Sequence, residues 1–295
     1  MLLTLTTVFN SELVSVRHAV ARPSDYPCSE VERGGTELLL MPITGLFAKH
    51  DGPKQHFIAN PNHALLLALG DPYRISFPDG KGDESLILEF SKPALANLLA
   101  ETVGVEDLSS PRLNAHCLLS PATVLNRNLL QRQLEQGAAD PLAIEELCVA
   151  ILSGSLHAAY RDLRGQPSAR HSLTMLRRRQ QVEKVKELLF LYPTQEWTLA
   201  VLARHANTSP YHLTRVFRAE VGVPVHQYLI RTRLGLALEA LRAMDSTANL
   251  KANLTTNLTK IALETGFANH SHFTSSFRSL FGITPSQLRS RTSKY

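Results

Sequence analysis

Residues 202–228 recur about sixty positions further along the chain. Leu213, Phe217, Gly222, Gln227 and Tyr228 align with Phe273, Phe277, Gly282, Gln287 and Leu288 at an offset of sixty residues. Upstream of these, Leu202-Ala203 matches Ile261-Ala262, with one extra residue in the second copy. So many matches at one offset indicate a duplicated helical unit.

Each copy is predicted to fold as a helix, a short turn and a second helix. In the first copy, Thr198 is expected to cap a helix over 199–206. Ser209 caps the next helix with Pro210 at its first position, where the missing N–H of proline costs nothing. Gly222 then ends that helix in the left-handed conformation. In the second copy the helices are expected near 258–264 and 269–280.

A single apolar helix over 224–241 is predicted to join the two copies. About 19 residues at 1.5 Å each give a length of roughly 28 Å. Successive major-groove faces lie about 34 Å apart along one side of B-DNA. A rod of this length could place both second helices on one face of one duplex. Arg231 and Arg233 of this helix are interpreted as phosphate-binding or interface residues.

The charge of the chain is unevenly distributed. Residues 1–160 hold 11 basic and 18 acidic residues, whereas 173–295 hold 17 basic and 7 acidic residues, a net charge of +10. An acidic first half and a basic second half suggest that only the second half binds a polyanion. A solvated basic surface without a partner is the alternative.

The first ninety residues show the pattern of an antiparallel β domain. Apolar or alternating runs at 13–21, 36–41, 45–49, 56–59, 64–69, 73–77 and 86–90 are separated by turn residues such as Glu-Arg-Gly-Gly and Pro-Asp-Gly. The pattern predicts a barrel or jelly roll with room for a small ligand. Two amphipathic helices follow, at 121–136 and from 141 to about 160, which pack either on this domain or on a copy of themselves in a dimer. We expect a first domain over 1–161, a linker over 162–172 and a helical domain over 173–295.

The second helix of each copy carries polar residues away from its apolar face. Small polar, His and Arg side chains at an exposed helix start suit contacts with base edges and phosphates in a major groove. The candidate DNA-binding residues are Ser209, Tyr211, His212, Thr214, Arg215, Arg218, Asn269, His270, Ser271, Thr274, Ser275 and Arg278. An ordinary solvated helical hairpin is the alternative.

At these residues the sequence resembles the AraC/XylS family of bacterial transcription regulators. The resemblance rests on Lys260-Ile261-Ala262, Gly266-Phe267, Ser271-His272-Phe273, Phe277-Arg278 and the run from Gly282 to Arg289, and it covers roughly residues 175–291. It implies a double helix-turn-helix domain behind a cupin-like domain that binds an effector or dimerises. It also implies RNA polymerase as a partner, a possible homodimer and a cytoplasmic, nucleoid-associated protein. The family's base-reading positions fall on Tyr211, Thr214, Arg215, His270, Ser271, Thr274 and Ser275.

The chain departs from the family pattern at two places. Ser275 stands where many members carry arginine, so the second unit lacks one strong contact. The stretch 245–257 before that unit is long and rich in Asn and Thr.

Enzymatic and membrane functions are not expected. The sequence has no GxGxxG or GxxxxGK[ST] motif for a nucleotide, and His50, Asp51, His56 and His63 lack the spacing of a metal-binding cupin, so no cofactor is expected. Cys28, Cys117 and Cys148 are read as reduced, small hydrophobic residues. No uninterrupted apolar run of about 20 residues and no basic leader peptide are seen, so neither a membrane nor secretion is expected. The alternatives are a cupin-type enzyme with an appended DNA-binding module, and a scaffold without a ligand.

Overall fold

The computed structural model describes residues 1–24, 28–52, 55–103, 115–136, 140–164, 173–246 and 254–292. The chain divides into two compact units, Met1–Glu183 and Lys184–Tyr295. Two antiparallel sheets in the first unit and an all-helical second unit confirm the predicted multidomain α+β fold class.

The first unit is built on two antiparallel sheets. The six-stranded sheet has the order β1-β2-β9-β4-β7-β10, from β1 (Leu2–Asn10), β2 (Val14–Arg22), β4 (Leu38–Gly45), β7 (His63–Leu67), β9 (Asp83–Phe90) and β10 (Ala115–Leu118). The second sheet has the order β3-β8-β5-β6, from β3 (Glu32–Arg33), β5 (Phe47–Gly52), β6 (Gln55–Ala59) and β8 (Pro72–Ser76). The seven strands predicted from the sequence are present, and β1, β3 and β10 were not predicted.

Alternation of the side chains places a core between the sheets. Val16 of β2 pairs with Leu88 of β9, and both side chains are fully buried. Phe47 and Leu65 belong to a buried cluster against which Tyr73 packs. The period of two residues in a strand accounts for these faces, since every second side chain points to the same side.

Helix α2 (Pro121–Gln136) buries part of its predicted apolar stripe and also buries polar side chains. Of the predicted apolar residues, Val124 and Leu130 are buried and Leu125, Leu129 and Leu134 are half-buried, whereas Arg127 is completely buried. The Arg127 guanidinium donates from Nη1 to the backbone carbonyls of Pro42, at 2.7 Å, and Pro61. Hydrogen bonds from Nη1 to these two carbonyl oxygens offset part of the cost of burying the cation, so a polar residue of the helix faces inward beside Val124 and Leu130.

Helix α3 (Pro141–Arg164) is longer than predicted, because it continues to Arg164 inside the predicted linker. The rest of that linker, 165–172, lies outside the described residues. By length and composition alone, Pro141–Tyr160 could cross a membrane, with a mean hydropathy of 1.4. Of the apolar window in this helix 44% is buried, and Cys148, Ile151 and Leu156 are fully buried in the first unit. Helix α1 (Lys92–Val103), which was not predicted, precedes these two.

The helical region follows the predicted order. Its helices are α4 (Leu173–Leu191), α5 (Leu199–His205), α6 (Pro210–Val221), α7 (Val225–Ser246), α8 (Leu254–Glu264), α9 (His270–Phe281) and α10 (Pro285–Thr292). The boundary between the two units falls within α4. Of the Asn- and Thr-rich stretch 245–257, residues 247–253 lie outside the described residues.

Candidate nucleic-acid interface and inter-sheet pocket

Helices α5 and α6 form the first helix-turn-helix unit. The Thr198 side chain caps α5 by accepting a hydrogen bond from the Val201 N–H at 3.2 Å. The Ser209 hydroxyl caps α6 in the same way, from the His212 N–H at 3.2 Å. Both caps satisfy backbone donors that have no partner within the helix. The predicted caps are therefore confirmed.

Helices α8 and α9 form the second unit, and its geometry repeats that of the first at an offset of sixty residues. Asn269 caps α9, accepting from the His272 N–H at 2.8 Å, at the position that corresponds to Ser209. Gly222 and Gly282 end α6 and α9 with φ of 82° and 75°, and each N–H donates to the carbonyl of an arginine four residues earlier. The duplication predicted from the apolar residues thus extends to the caps, which confirms two copies of one structural unit.

The buried residues of α6 and α9 also correspond. Leu213 and Phe217 of α6 are 1% and 0% exposed, and Phe273 and Phe277 of α9 are both 0% exposed. Tyr228 packs edge-to-face on Phe217 with ring centroids 5.5 Å apart. Since burying an aromatic ring is worth several kcal/mol, these side chains fix the orientation of each second helix.

The turns within the two units both contain a residue with positive φ, Asn207 at 49° and Gly266 at 90°. Gly266 has a further constraint. A Cβ atom at this position would lie 2.6 Å from the carbonyl oxygen of Pro193 and 2.9 Å from Cα of Thr194. The turn of the second unit therefore packs directly on the segment that precedes α5. The same Cβ atom would lie 2.9 Å from Nε of Arg233, so the turn, the segment before α5 and helix α7 meet at one point.

Arg233 of α7 binds the same segment. Its Nε–H donates to the Pro193 carbonyl at 2.7 Å, and Nη2 donates to the Gln195 carbonyl at 3.4 Å. Burial lowers the pKa of the Arg233 guanidinium. Of the two interpretations made from the sequence, the structure supports an intramolecular interface for Arg233, where it holds α7 against the segment before α5.

Most of the predicted contact residues of α6 lie on its exposed side. Tyr211 is 81% exposed, although tyrosine usually buries part of its ring. Thr214, Arg215 and Arg218 are also exposed, and His212 is half-buried. The Thr214 hydroxyl donates to the Pro210 carbonyl at 2.9 Å, so its methyl group and its oxygen lone pairs are available to a partner.

The corresponding residues of α9 are smaller and more engaged with one another. Ser271, Ser275 and Arg278 are exposed, whereas His270 and Thr274 are half-buried. Thr274 and His270 side chains are 3.4 Å apart, and the Ser275 hydroxyl donates to a backbone carbonyl at 3.1 Å. The second helix-turn-helix unit thus presents shorter side chains than the first helix-turn-helix unit. Whether these residues contact DNA stays a prediction.

Helix α7, which joins the two units, is longer than predicted. Its 22 residues correspond to about 33 Å at 1.5 Å per residue. The predicted length was about 28 Å, because the sequence pattern was read only as far as Leu241. The observed length is closer to the repeat of about 34 Å between major grooves on one side of B-DNA.

A cavity of about 400 Å³ lies between the two sheets of the first unit. Its lining is mainly apolar and includes Leu40, Phe47, Leu65, Ile75 and Ile87. Polar residues lie among these side chains, and the N-terminal strand β1 forms one border of the cavity. Small-molecule sites typically occupy about 300–1,000 Å³, so the cavity has the size of such a site.

Asp83 lines this cavity and has an unusual acidity. Burial raises the pKa of its carboxyl group from 3.8 to about 6, although the Ser85 hydroxyl, donating at 2.6 Å, lowers it. The folded protein therefore binds this proton more tightly than the unfolded chain. The resulting stability is fully present below the unfolded pKa and is lost as the pH rises through about 6.

The variant Asp83→Asn tests this effect. Between pH 4 and pH 7 we expect the free energy of unfolding of the sheet-containing unit to fall in the wild type by about 2–3 kcal/mol more than it does in the variant. Calorimetry of the full chain at several pH values measures the difference. Parallel pH profiles for the two proteins would show that Asp83 titrates normally.

The histidines singled out in the sequence do not converge. The rings of His50 and His56 are 5.7 Å apart, and burial lowers the pKa of His50. His63 is buried elsewhere, where its Nδ1 lies 3.1 Å from the Asn60 side chain. Within the part of the chain that the structure describes, no three His, Cys, Asp or Glu side chains are grouped so that they could hold a metal ion.

The helical region matches a known type of domain. A family model described as a helix-turn-helix domain matches residues 202–291. The transcriptional activator AarP of Providencia stuartii is 33% identical over 96 residues, which cover 32% of this chain and 64% of AarP. An uncharacterized HTH-type transcriptional regulator of Staphylococcus aureus strain COL is 25% identical over 188 residues, covering 60% of this chain and 23% of the relative. The chain thus spans less than two thirds of the length of these relatives.

Among solved structures, ToxT of Vibrio cholerae with a bound unsaturated fatty acid is 13% identical, covers 95% of each chain and has a TM-score of 0.40. The DNA-binding domain of AdpA, solved with a target DNA, is 21% identical and covers 38% of this chain and 93% of its own, with a TM-score of 0.33. The matched family model, the relatives and the duplicated caps together show that residues 202–291 form a double helix-turn-helix domain, which resembles that of the AraC/XylS family.

Proposed function

We propose that this protein is a sequence-specific, DNA-binding transcription regulator whose helices α6 and α9 read adjacent major grooves. The observation that carries the proposal is the repeated geometry of the two units, with equivalent caps, glycines and buried residues sixty positions apart. Two equivalent recognition helices suit a duplex, which presents equivalent grooves at each helical turn.

The charge and length of the helical region support the same proposal. Residues 173–295 carry a net charge of +10, which favours association with a polyanion. Helix α7 measures about 33 Å, close to one turn of B-DNA. On this proposal one chain can engage two successive grooves without a dimer.

Individual residues of α6 have different roles in the proposal. Arg215 is exposed and can donate two hydrogen bonds to guanine O6 and N7, whereas Thr214 can contact a thymine methyl group. Tyr211, which the resemblance places at a base-reading position, is 81% exposed and can contact a base edge. The remaining proposed DNA-binding residues are Ser209, His212, Arg218, Asn269, His270, Ser271, Thr274, Ser275 and Arg278.

Replacing Arg215 by alanine tests the assignment of base reading to α6. We expect a loss of about 1–3 kcal/mol in binding to the preferred duplex and a relaxed preference at one base pair. The duplex is first selected from a random library with the full chain, and affinities are then measured by fluorescence anisotropy at several salt concentrations. Binding that never exceeds that of bulk DNA would reject sequence-specific recognition.

Lys184→Ala is the matched control for this experiment. Lys184 is partly exposed on α4, outside both helix-turn-helix units, and it pairs with Glu187 at 3.2 Å. Its loss removes the same charge, so it should weaken specific and random duplexes little and equally. Equal losses on both duplexes for Arg215→Ala would assign that residue to phosphate contact.

The sheet-containing unit, Met1–Glu183, is proposed to control the helical domain. A cavity of about 400 Å³ in this unit can hold a small effector, and the effector can alter regulation only if it binds one arrangement of the protein more tightly. Dimerisation through this unit, interaction with RNA polymerase and a cytoplasmic location belong to the same proposal. No enzymatic activity and no cofactor are part of it.

A further inference from the structure

The charged residues that line the inter-sheet cavity compensate one another. Three basic residues and three acidic residues belong to the lining: Arg17, Arg33, Lys49, Glu32, Asp83 and Glu89. Because the two signs are equal in number, the lining carries no net formal charge when all six groups are ionised. The apolar residues around the cavity penalise a ligand that brings an unpaired charge.

The two most buried cations of the lining are each engaged with a carboxylate. Nη2 of Arg17 lies 2.7 Å from Glu89 Oε2. The Lys49 ammonium, on a side chain only 6% exposed, donates to Asp51. An anionic ligand would have to displace one of these carboxylates before it could bind either cation.

Arg17 nevertheless has one buried donor that is not used. Its Nε–H is inaccessible to solvent and has no acceptor among the residues that the structure describes. Buried donors are normally paired, and leaving one without an acceptor costs free energy. No molecule of the size of water reaches Nε in this structure, so an uncharged oxygen of a ligand in the cavity can accept this hydrogen bond only after the Arg17 side chain moves, with its pair to Glu89 kept.

The border of the cavity is formed by an apolar strand. Leu3 and Leu5 of β1 line the cavity and are 44% and 46% exposed. Strand β1 lies at the edge of the six-stranded sheet, and no charged residue occurs between Leu2 and Asn10. This border favours a ligand whose hydrocarbon part covers these leucines.

We propose that the cavity binds an uncharged, predominantly apolar molecule with one hydroxyl or carbonyl oxygen, and that Arg17 donates a hydrogen bond from Nε to this oxygen. The inference deepens the proposed function, because it names the chemical class of the effector. The affinity of the cavity for a ligand can be measured separately from any effect of that ligand on DNA binding.

The experiment compares three probes with the same alkyl chain on the full protein: 1-decanol, decanoate and decylammonium. Isothermal titration below their micellar limits gives the affinities. We expect 1-decanol to bind at least about tenfold more tightly than either ion, because the ions bring an unpaired charge into the cavity. Tighter binding of decanoate or decylammonium, or no binding of 1-decanol up to its solubility limit, would overturn the proposal.

Two variants locate the ligand. Arg17→Lys keeps a cation beside Glu89 but removes the Nε donor, so 1-decanol should bind about tenfold more weakly while the thermal midpoint changes little. Ala19→Phe places a ring in the cavity, since Ala19 is a buried lining residue of β2, and should abolish binding. Ile87→Phe repeats the block from β9 if Ala19→Phe does not fold. Unchanged affinity in Arg17→Lys would contradict the hydrogen bond, and unchanged affinity in the Phe variants would contradict the site.

Titrating the selected DNA duplex with and without 1-decanol separates this inference from the proposed function. Binding of 1-decanol with unaltered DNA affinity would support the ligand class and contradict the regulatory role of the cavity. If the full chain shows no sequence-specific DNA binding when no probe is present, only the proposed function is contradicted.

Discussion

Gly266→Ala is expected to destabilise the helical unit by about 3 kcal/mol and to weaken binding to the selected duplex. Alanine at φ of 90° has a strained backbone, which costs about 1–2 kcal/mol. Its Cβ would also lie 2.6 Å from the Pro193 carbonyl oxygen, and overpacking of this kind adds about 1–3 kcal/mol. The chain has a single tryptophan, Trp197, which lies in the helical unit. Its fluorescence during urea unfolding therefore reports the stability of that unit.

Gly222→Ala is the control that separates the two costs. Gly222 also has a positive φ, 82°, but a Cβ there would meet no atom of the described residues within 4 Å. Only the backbone strain applies, so we expect a loss of about 1–2 kcal/mol. If Gly266→Ala and Gly222→Ala lower the free energy of unfolding by the same amount, the turn of the second helix-turn-helix unit does not pack on the segment before α5.

Phe277→Ala is expected to cost about 3–5 kcal/mol, which is the effect of removing a large ring from a close-packed core. The ring of Phe277 is fully buried, with its centroid 5.7 Å from that of Phe273 and 4.8 Å from that of Phe281. Removing this ring should loosen α9, and the protein should then contact DNA only through the first helix-turn-helix unit, α5 and α6. Trp197 fluorescence and DNA footprinting measure the two effects.

Two further variants control the Phe277 experiment. Phe217→Ala, at the equivalent position of the first unit, should cost a similar amount, because its side chain is also fully buried. Phe281→Ala should cost less, since Phe281 is only half-buried. A loss below about 1 kcal/mol for Phe277→Ala would contradict the packing described for the second unit.

The helical region could be predicted largely from local sequence signals. Ser209, Pro210 and Gly222 act within one helix, so their positions fix the start and end of α6 without knowledge of the rest of the fold. The repeat then extended this interpretation to the second unit, where Gly282 has the same role. The residues expected to contact DNA follow from the helical period, which places them on the side of each helix opposite its buried residues.

The features that escaped prediction depend on distant parts of the chain. Arg127 is buried because two backbone carbonyls, 85 and 66 residues away, accept its hydrogen bonds, and the local pattern places leucines on the inner side. Strand β1 is exposed on both faces, so its residues lack the regular alternation that marks a half-buried strand. Gly266 has a turn signal in the sequence, but its approach to Pro193 involves segments more than seventy residues apart.

The inter-sheet pocket was expected only in outline. Turn-rich strands predicted a barrel or jelly roll with a ligand, but the lining depends on which faces of eight strands meet. The register that places Arg17 beside Glu89 is one such property. A position's neighbour across a sheet is set by the whole topology, so the local pattern does not reveal it.

Hydroxyl-radical footprinting of the full chain on its selected duplex tests most directly whether α6 and α9 bind the same side of DNA. With α7 about 33 Å long between the two helix-turn-helix units, we predict that each bound chain protects two segments about one helical turn apart, both on one face of the duplex. Protection of a single groove segment, or of segments on opposite faces, would contradict the account.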